Sequence, residues 1–209
     1  MDRNELNQRL PSVVEAIVKS VTAEPRMQHL NRILLPSRDV IIECIKVLRQ
    51  IAFPGYFGKQ GLTTENVPFR MGELVIELSD MLYEQVRCCL RYREQLAGED
   101  SRGKQCEECD REAVEIVSRF LDRIPAIRDL LATDVQAAFD GDPAAQSTDE
   151  TIFCYPGLFA IFVQRMAHPF YEMRVPLLPR IMTEYAHSLT GIDIHPGAED
   201  IAKRLKLDG

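Results

Sequence analysis

The chain has 209 residues, a net charge of −7 and no tryptophan. Such a length fits one domain or two, and folding can bury about 70% of the surface that the unfolded chain exposes, so no disulfide or metal is needed for stability. The acidic balance argues against a nucleic-acid partner, and the charged first five residues lack the apolar core of a secretory signal. The longest apolar run, 158–163, is far shorter than the roughly 20 residues that cross a bilayer. Together with six cysteines typical of reduced thiols, these features predict a globular protein of the cytoplasm without a membrane partner.

The first half of the chain shows apolar residues at helical spacing. A stripe over Val13–Val21 predicts a first helix that has Pro11 in its first turn, where the missing N–H costs nothing. Ser37 is suited to cap a second helix, whose apolar positions run from Ile41 to Ile51 and which ends at 53–55. A third, long helix is expected over the apolar positions between Met71 and Cys89.

The second half continues in the same way. A polar linker at 98–104 precedes a fourth helix over 113–121, and Pro125 is expected to open a fifth. A sixth helix is predicted over about 156–173 and a seventh over about 177–188.

These patterns predict an all-α fold, because no strand-like alternation precedes residue 192. The expected domains are a helical domain over 1–190, a hexapeptide segment over 191–198 and a divergent tail over 199–209. In the middle segment Ile194 and Ala198, with Pro and Gly between them, match one rung of a left-handed parallel β-helix. A single rung is a weak signal, since stacking needs at least about three repeats, and a turn at the end of a helical domain is the competing interpretation.

Two short motifs are candidates for chemistry. Asp142-Pro143 is most simply a helix stop, but it also fits a carboxylate fixed in a rigid turn that holds a substrate ammonium group. Cys106 and Cys109 form a CxxC pair, yet zinc would need two further ligands at similar spacing, so we expect no metal and an exposed helix start. His168, on the sixth helix, is more often a structural residue than a catalyst at such a position.

Five sequence blocks, taken together and in order, resemble serine O-acetyltransferase, the enzyme that makes O-acetylserine for cysteine synthesis. They are residues 142–144, 155–161, 165–168, 179–188 and 191–198. The resemblance is strong from about residue 140 to 198 and looser before it, where only a helical amino-terminal domain is expected. Blocks this long argue against an unrelated helical bundle.

The resemblance implies acetyl transfer from acetyl-CoA to the hydroxyl group of L-serine. In the family a histidine removes the hydroxyl proton as general base, and an aspartate orients that histidine. Asp193 matches this aspartate. A second aspartate, in a DP pair, binds the serine substrate, and Asp142 with Pro143 matches it. Acetyl-CoA is a co-substrate in the family, and we expect no bound cofactor in this chain.

The departures from the family pattern are as informative as the matches. The catalytic histidine of the family lies one β-helix turn downstream in a D-H-x-T-G context, whereas this sequence closes with 207–209. His195 belongs to the earlier rung. The acetyl-CoA-binding coils and the tail that docks into cysteine synthase are absent, so we expect a truncated chain that is inactive by itself. The alternative is a non-catalytic helical module that forms a homo-oligomer, and we expect partial exposure around Phe159, Phe162 and Phe170 to favour self-association.

Overall fold

The computed structural model describes residues 2–32, 35–98 and 107–198. Over these residues the chain forms α-helices and one turn of 3-10 helix, Pro25–Met27, with no strand, so the all-α prediction is confirmed for them. The helices are α1 (Arg3–Ala23), α2 (Arg38–Ala52), α3 (Val67–Leu96), α4 (Glu107–Asp140), α5 (Thr148–Cys154), α6 (Pro156–Glu172) and α7 (Leu178–Thr190). The chain divides into two compact units, residues 1–33 and 34–209. No helix among the described residues is long and apolar enough to cross a membrane.

The first unit consists of α1 and the 3-10 turn. The Asp2 carboxylate accepts the backbone N–H groups of Asn4 and Glu5, and the Glu5 carboxylate accepts the N–H of Asp2. This capping box starts the helix at Arg3, so the predicted start at Pro11 is wrong, and the proline lies in the helix interior. None of the residues of α1 is buried.

The second unit has one apolar core to which α2, α3, α4, α6 and α7 contribute. The predicted cap of α2 is confirmed, since Ser37 Oγ accepts the backbone N–H of Val40 at 3.4 Å. The five apolar positions predicted for this helix are all buried: Ile41, Cys44, Ile45, Leu48 and Ile51. The long third helix is confirmed as α3, with Leu74, Leu78, Leu82, Val86 and Cys89 buried.

The predicted fourth and fifth helices are one continuous helix, α4, which contains Pro125. The prediction of a break was wrong because the helix can lose one backbone hydrogen bond at proline when packing holds both flanks. Ile124 and Ile127 are buried on either side of it. The predicted linker lies largely outside the described residues, as does Cys106.

A short helix between α4 and α6 has no counterpart among the predictions. Ser147 Oγ accepts the N–H of Glu150 at 3.2 Å, and Asp149 and Glu150 place negative charge in the first turn of α5. Seven residues make fewer than two turns, so hydrophobic periodicity could not reveal this helix.

The predicted sixth and seventh helices are confirmed as α6 and α7. Phe162 is 1% exposed and Phe170 is 0% exposed, and the rings of Phe170 and Phe120 stack at a centroid distance of 4.3 Å. Only Phe159 of the three phenylalanines is partly buried rather than fully buried. The expectation that this surface is left open was therefore wrong for Phe162 and Phe170, because α4 and α7 cover α6 on the core side.

Candidate functional site

The turn that follows α4 fixes the first candidate residue, Asp142. The helix ends at Asp140, and the next carboxylate folds back so that Asp142 Oδ1 accepts the backbone N–H of Ala144 at 2.9 Å. The carbonyl of Asp142 also accepts the N–H of Ala145 at 3.0 Å. This is an Asx turn, in which an aspartate before proline satisfies the local backbone itself.

Tyr155 supplies the second partner of this carboxylate. Its hydroxyl donates to Asp142 Oδ2 at 2.6 Å, although the two residues are 13 positions apart. The hydrogen bonds from Tyr155 and Ala144 hold the pKa of Asp142 below its usual value, and the same bond to Asp142 raises the pKa of Tyr155 to about 12. Asp142 is therefore ionised over the neutral range. Each carboxylate oxygen has two lone pairs, so both retain a site for a further donor.

The segment from Gly191 to Ala198 carries the second candidate, Asp193. Gly191 ends α7 in the left-handed region, with φ of 73°, and its N–H donates to the carbonyl of His187 at 2.8 Å. The Asp193 side chain is exposed, whereas Pro196 is buried.

This segment lies against α6. Gln164 Nε2 donates to the carbonyl of Ala198 at 2.8 Å, and His168 Nδ1 lies 2.9 Å from the carbonyl oxygen of Pro196. The segment thus has a defined position relative to a core helix, and Asp193 stands at its exposed beginning.

A cleft of about 610 Å³ opens between α4 and α6, and Ile194 and Ala198 close one side of it. Its charged groups are already paired across the two helices: Arg165 binds Asp134, with one of its two contacts at 2.6 Å, and Arg123 binds Glu172. Asp142, Pro143 and Asp193 are not among the lining residues. The cleft therefore does not bring the predicted site residues together.

The cysteine motif is only half described, since Cys106 lies outside the described residues. Cys109, in the first turn of α4, is fully buried, and its thiol donates to Glu94 Oε1 at 2.8 Å. The expectation of an exposed helix start is wrong at this position because α3 covers it. Within the described part of the chain, no group of three or more His, Cys, Asp or Glu side chains could hold a metal ion.

Sequence reasoning did not give site roles to Tyr155 or Gln164. Tyr155 stands immediately before Pro156 at the start of α6, where it also takes the N-cap position without a side-chain cap. The sequence did not indicate a role for this tyrosine, because its contact with Asp142 depends on how the chain passes through α5.

Comparison with known proteins gives a consistent result over most of the chain. A plasmid-encoded serine acetyltransferase of Synechococcus elongatus is 38% identical over 202 residues, which cover 94% of this chain and 62% of the relative. A serine acetyltransferase of Mycobacterium tuberculosis is 48% identical over 75 residues, covering 36% of this chain and 32% of the relative. No family model matches the chain.

Among solved structures, serine acetyltransferase 1 of Entamoeba histolytica in complex with L-cysteine aligns with a TM-score of 0.58 and 32% identity. The alignment covers 79% of this chain and 52% of that chain. This chain therefore spans between about half and two thirds of the length of the Synechococcus relative and of the Entamoeba structure.

Proposed function

Because the chain is a homologue of the serine acetyltransferases in sequence and in fold, we propose that it forms the helical part of a serine O-acetyltransferase. The reaction would move an acetyl group from acetyl-CoA to the hydroxyl of L-serine, as the first step of cysteine biosynthesis. The thiols of Cys44, Cys88, Cys89 and Cys154, which form no disulfide, suit the cytoplasm, which we propose as its compartment.

The observation that carries the proposal is the Asp142 carboxylate. It is ionised, its position is set by Tyr155 and Ala144, and it stands in a turn next to Pro143, which cannot donate a backbone hydrogen bond. A fixed carboxylate with free lone pairs binds a primary ammonium group through a charge-assisted hydrogen bond. In this proposal Asp142 holds the ammonium group of serine.

Asp193 has the second proposed role. An exposed carboxylate on a positioned segment can accept the N–H of an imidazole, fix its tautomer and stabilise the imidazolium that forms during proton abstraction. Gly191–Ala198 supports this role as the first rung of the β-helix, because its path is set by contacts with α6.

The 209 residues contain no D-H-x-T-G run and a single hexapeptide segment, 191–198, so we propose that they contribute neither the expected general base nor the acetyl-CoA coils. Losing general-base catalysis lowers a rate by about two to four orders of magnitude, and without the acetyl-CoA site the reactants are not brought together. A polypeptide of these residues is expected to release no CoA from acetyl-CoA in the presence of serine. Clear turnover would contradict this part of the proposal.

One observation favours a second role, assembly of copies of the chain through α1. This helix exposes a stripe of large apolar side chains, each between 42% and 56% accessible. They are Leu6, Leu10, Val13, Val14, Ile17, Val18 and Val21. Apolar stripes of this kind are typical of helix pairing, so we propose a homo-oligomeric protein.

The test of the serine site is an NMR titration, since millimolar binding is expected from a partial site. L-serine is expected to shift the amide resonances of Ala144 and Ala145. 3-Hydroxypropanoate, which lacks the ammonium group, should shift neither. The same titration with L-cysteine, the ligand named for the Entamoeba relative, tests whether this chain shares that specificity.

The matched variants are Asp142→Asn and Asp149→Asn. The first removes the charge that the proposal needs, whereas the second changes a neighbouring aspartate that binds Tyr56. Serine shifts that survive in Asp142→Asn, or an unmodified chain that shows none, would remove Asp142 from the serine site.

A further inference from the structure

Three side chains on one face of α6 contact the segment that follows α7. Gln164, His168 and Tyr171 are spaced by four and three residues, which places them on the same side of a helix. Gln164 Nε2 donates to the carbonyl of Ala198 at 2.8 Å, and the Tyr171 ring meets the His195 imidazole edge to face at a centroid distance of 5.4 Å. The segment is therefore held at several points.

The contact of His168 with Pro196 also indicates which of its ring nitrogens donates. A carbonyl oxygen only accepts hydrogen bonds, so Nδ1 must carry a proton to bond the carbonyl of Pro196 at 2.9 Å. The other nitrogen, Nε2, lies 3.6 Å from Glu172 Oε1, and Arg123 binds the second oxygen of that carboxylate. The imidazole ring is thus oriented through its Nδ1 contact with the carbonyl of Pro196.

The Tyr171 ring lies close to Gly197 of the segment. A Cβ atom added at Gly197 would lie 2.5 Å from Tyr171 Cε1, closer than carbon atoms approach. The segment folds into a turn at the same place, because the N–H of Ala198 donates to the carbonyl of His195 at 2.9 Å. Glycine at 197 is what allows the ring to lie against the turn.

We infer that Gln164, His168 and Tyr171 are positioning residues, which clamp the 194–198 turn onto α6 and so fix the place of Asp193. The inference rests on the role proposed above for Asp193. The aspartate lies one residue before this turn and two after Gly191, so its backbone is held from both ends. Catalysis is sensitive to such placement, since a displacement of about 1 Å can cost a hundredfold in rate.

Hydrogen exchange of the Ala198 amide, followed by NMR in the unmodified chain, measures how often the clamp opens. His168→Leu is expected to accelerate this exchange about tenfold, the effect of losing one hydrogen bond of ordinary strength. His187→Ala on α7 is the matched control, because His187 interacts with Glu184 on its own helix. Unchanged exchange in His168→Leu overturns the inference.

Rescue by a conservative variant separates positioning from simple packing. The amide nitrogen of asparagine can stand where Nδ1 of histidine stands, whereas that of glutamine matches Nε2. We expect His168→Asn to restore slow exchange of the Ala198 amide and His168→Gln to leave it fast. Equal exchange in the two variants contradicts the assignment of Nδ1 as the donor.

A second pair of substitutions covers the case in which the His168 variants fail to fold. Gly197→Ala is expected to accelerate exchange at Ala198 in the unmodified background, because the new methyl group displaces the Tyr171 ring. In a Tyr171→Ala background the same change should have little effect. Additive effects in the double variant would show that Tyr171 and Gly197 are independent and that the clamp is wrong.

These exchange measurements contain no ligand, so they fail or succeed independently of serine binding. A closed clamp in a chain that does not bind serine would support the clamp and contradict the proposed function. Serine binding in a chain whose turn opens freely would support the proposed function and contradict the clamp.

Discussion

Helices α1 and α6 carry similar patterns and have different surroundings. Each has a stripe of apolar side chains and an interior proline, Pro11 in one and Pro169 in the other. In α6 eight residues are buried, whereas in α1 none is. Hydrophobic periodicity thus gives the face that avoids water and does not tell whether the same chain covers it. The residues with proposed roles lie around the covered helix, and the uncovered one is the candidate for assembly.

The largest expected effect comes from the same substitution in the two helices. Leu158→Ala in α6 truncates a side chain that is 4% exposed. The free energy of unfolding of the chain should therefore fall by about 2–5 kcal/mol. Leu10→Ala in α1 changes a residue that is 46% exposed in the single chain, so we expect a change within about 0.5 kcal/mol when the copies are not associated. Urea denaturation at a concentration too low for association measures both. A large loss in Leu10→Ala under these conditions would mean that α1 is covered within the single chain.

Thiol labelling compares the two environments kinetically. Burial raises the pKa of Cys89 to about 12, so this thiol should alkylate at least about a hundredfold more slowly than an exposed one. Ile17→Cys places a thiol in the exposed stripe of α1, and Cys154 is the native exposed reference. Mass spectrometry of the labelled peptides gives the rates. Rapid labelling of Cys89 in the folded chain would contradict its burial.

Assembly through α1 would depend on its exposed apolar stripe. If copies pair through α1, the double change Val14→Lys and Ile17→Lys should weaken association at least tenfold, because each buried side chain of this size contributes about 1.5–3 kcal/mol. Ile76→Lys on α3 is the control, since Ile76 is 65% exposed and lies outside the stripe. Sedimentation equilibrium measures the association constant. An unchanged constant in the double variant would exclude α1 as the interface.

The smallest expected effect lies in the turn before α6. Tyr155→Phe removes the donor that lowers the pKa of Asp142, so that pKa should rise toward its ordinary value. Because the folded-state pKa is the lower one, the stability contributed by this carboxylate is present above its unfolded pKa. It is lost as the pH falls through the folded value, and in Tyr155→Phe this acid-range loss should be smaller.

Carboxyl NMR titration of Asp142 checks this expectation, and Tyr56→Phe serves as the control because Tyr56 binds Asp149 instead. An Asp142 pKa that stays the same in Tyr155→Phe would show that the hydroxyl does not bind the carboxylate.

The sequence predicted the helical class and the course of α2, α3, α6 and α7, because these helices have long apolar stripes and, for α2, a Ser37 cap. It did not predict the short helix α5, the continuity of α4 or the start of α1. Pro125 was expected to break α4, yet buried side chains on both flanks keep that helix continuous. The true start of α1 lay in a capping box eight residues before the proline that suggested a start.

The candidate site was predictable in part. Asp142 and Asp193 came from the resemblance to a family, and the Asx turn at Asp142 follows from the local sequence. The Tyr155 contact and the clamp on α6 could not be foreseen, since they join residues 13 to 34 positions apart. Such pairs depend on how helices pack, which periodicity does not encode.

Hydrogen exchange mass spectrometry across the whole chain, with and without L-serine, tests most directly where function resides. We expect slower exchange with serine in peptides that cover 141–155, and no change over 3–23. No serine-dependent protection over 141–155, or protection in α1, would contradict this assignment.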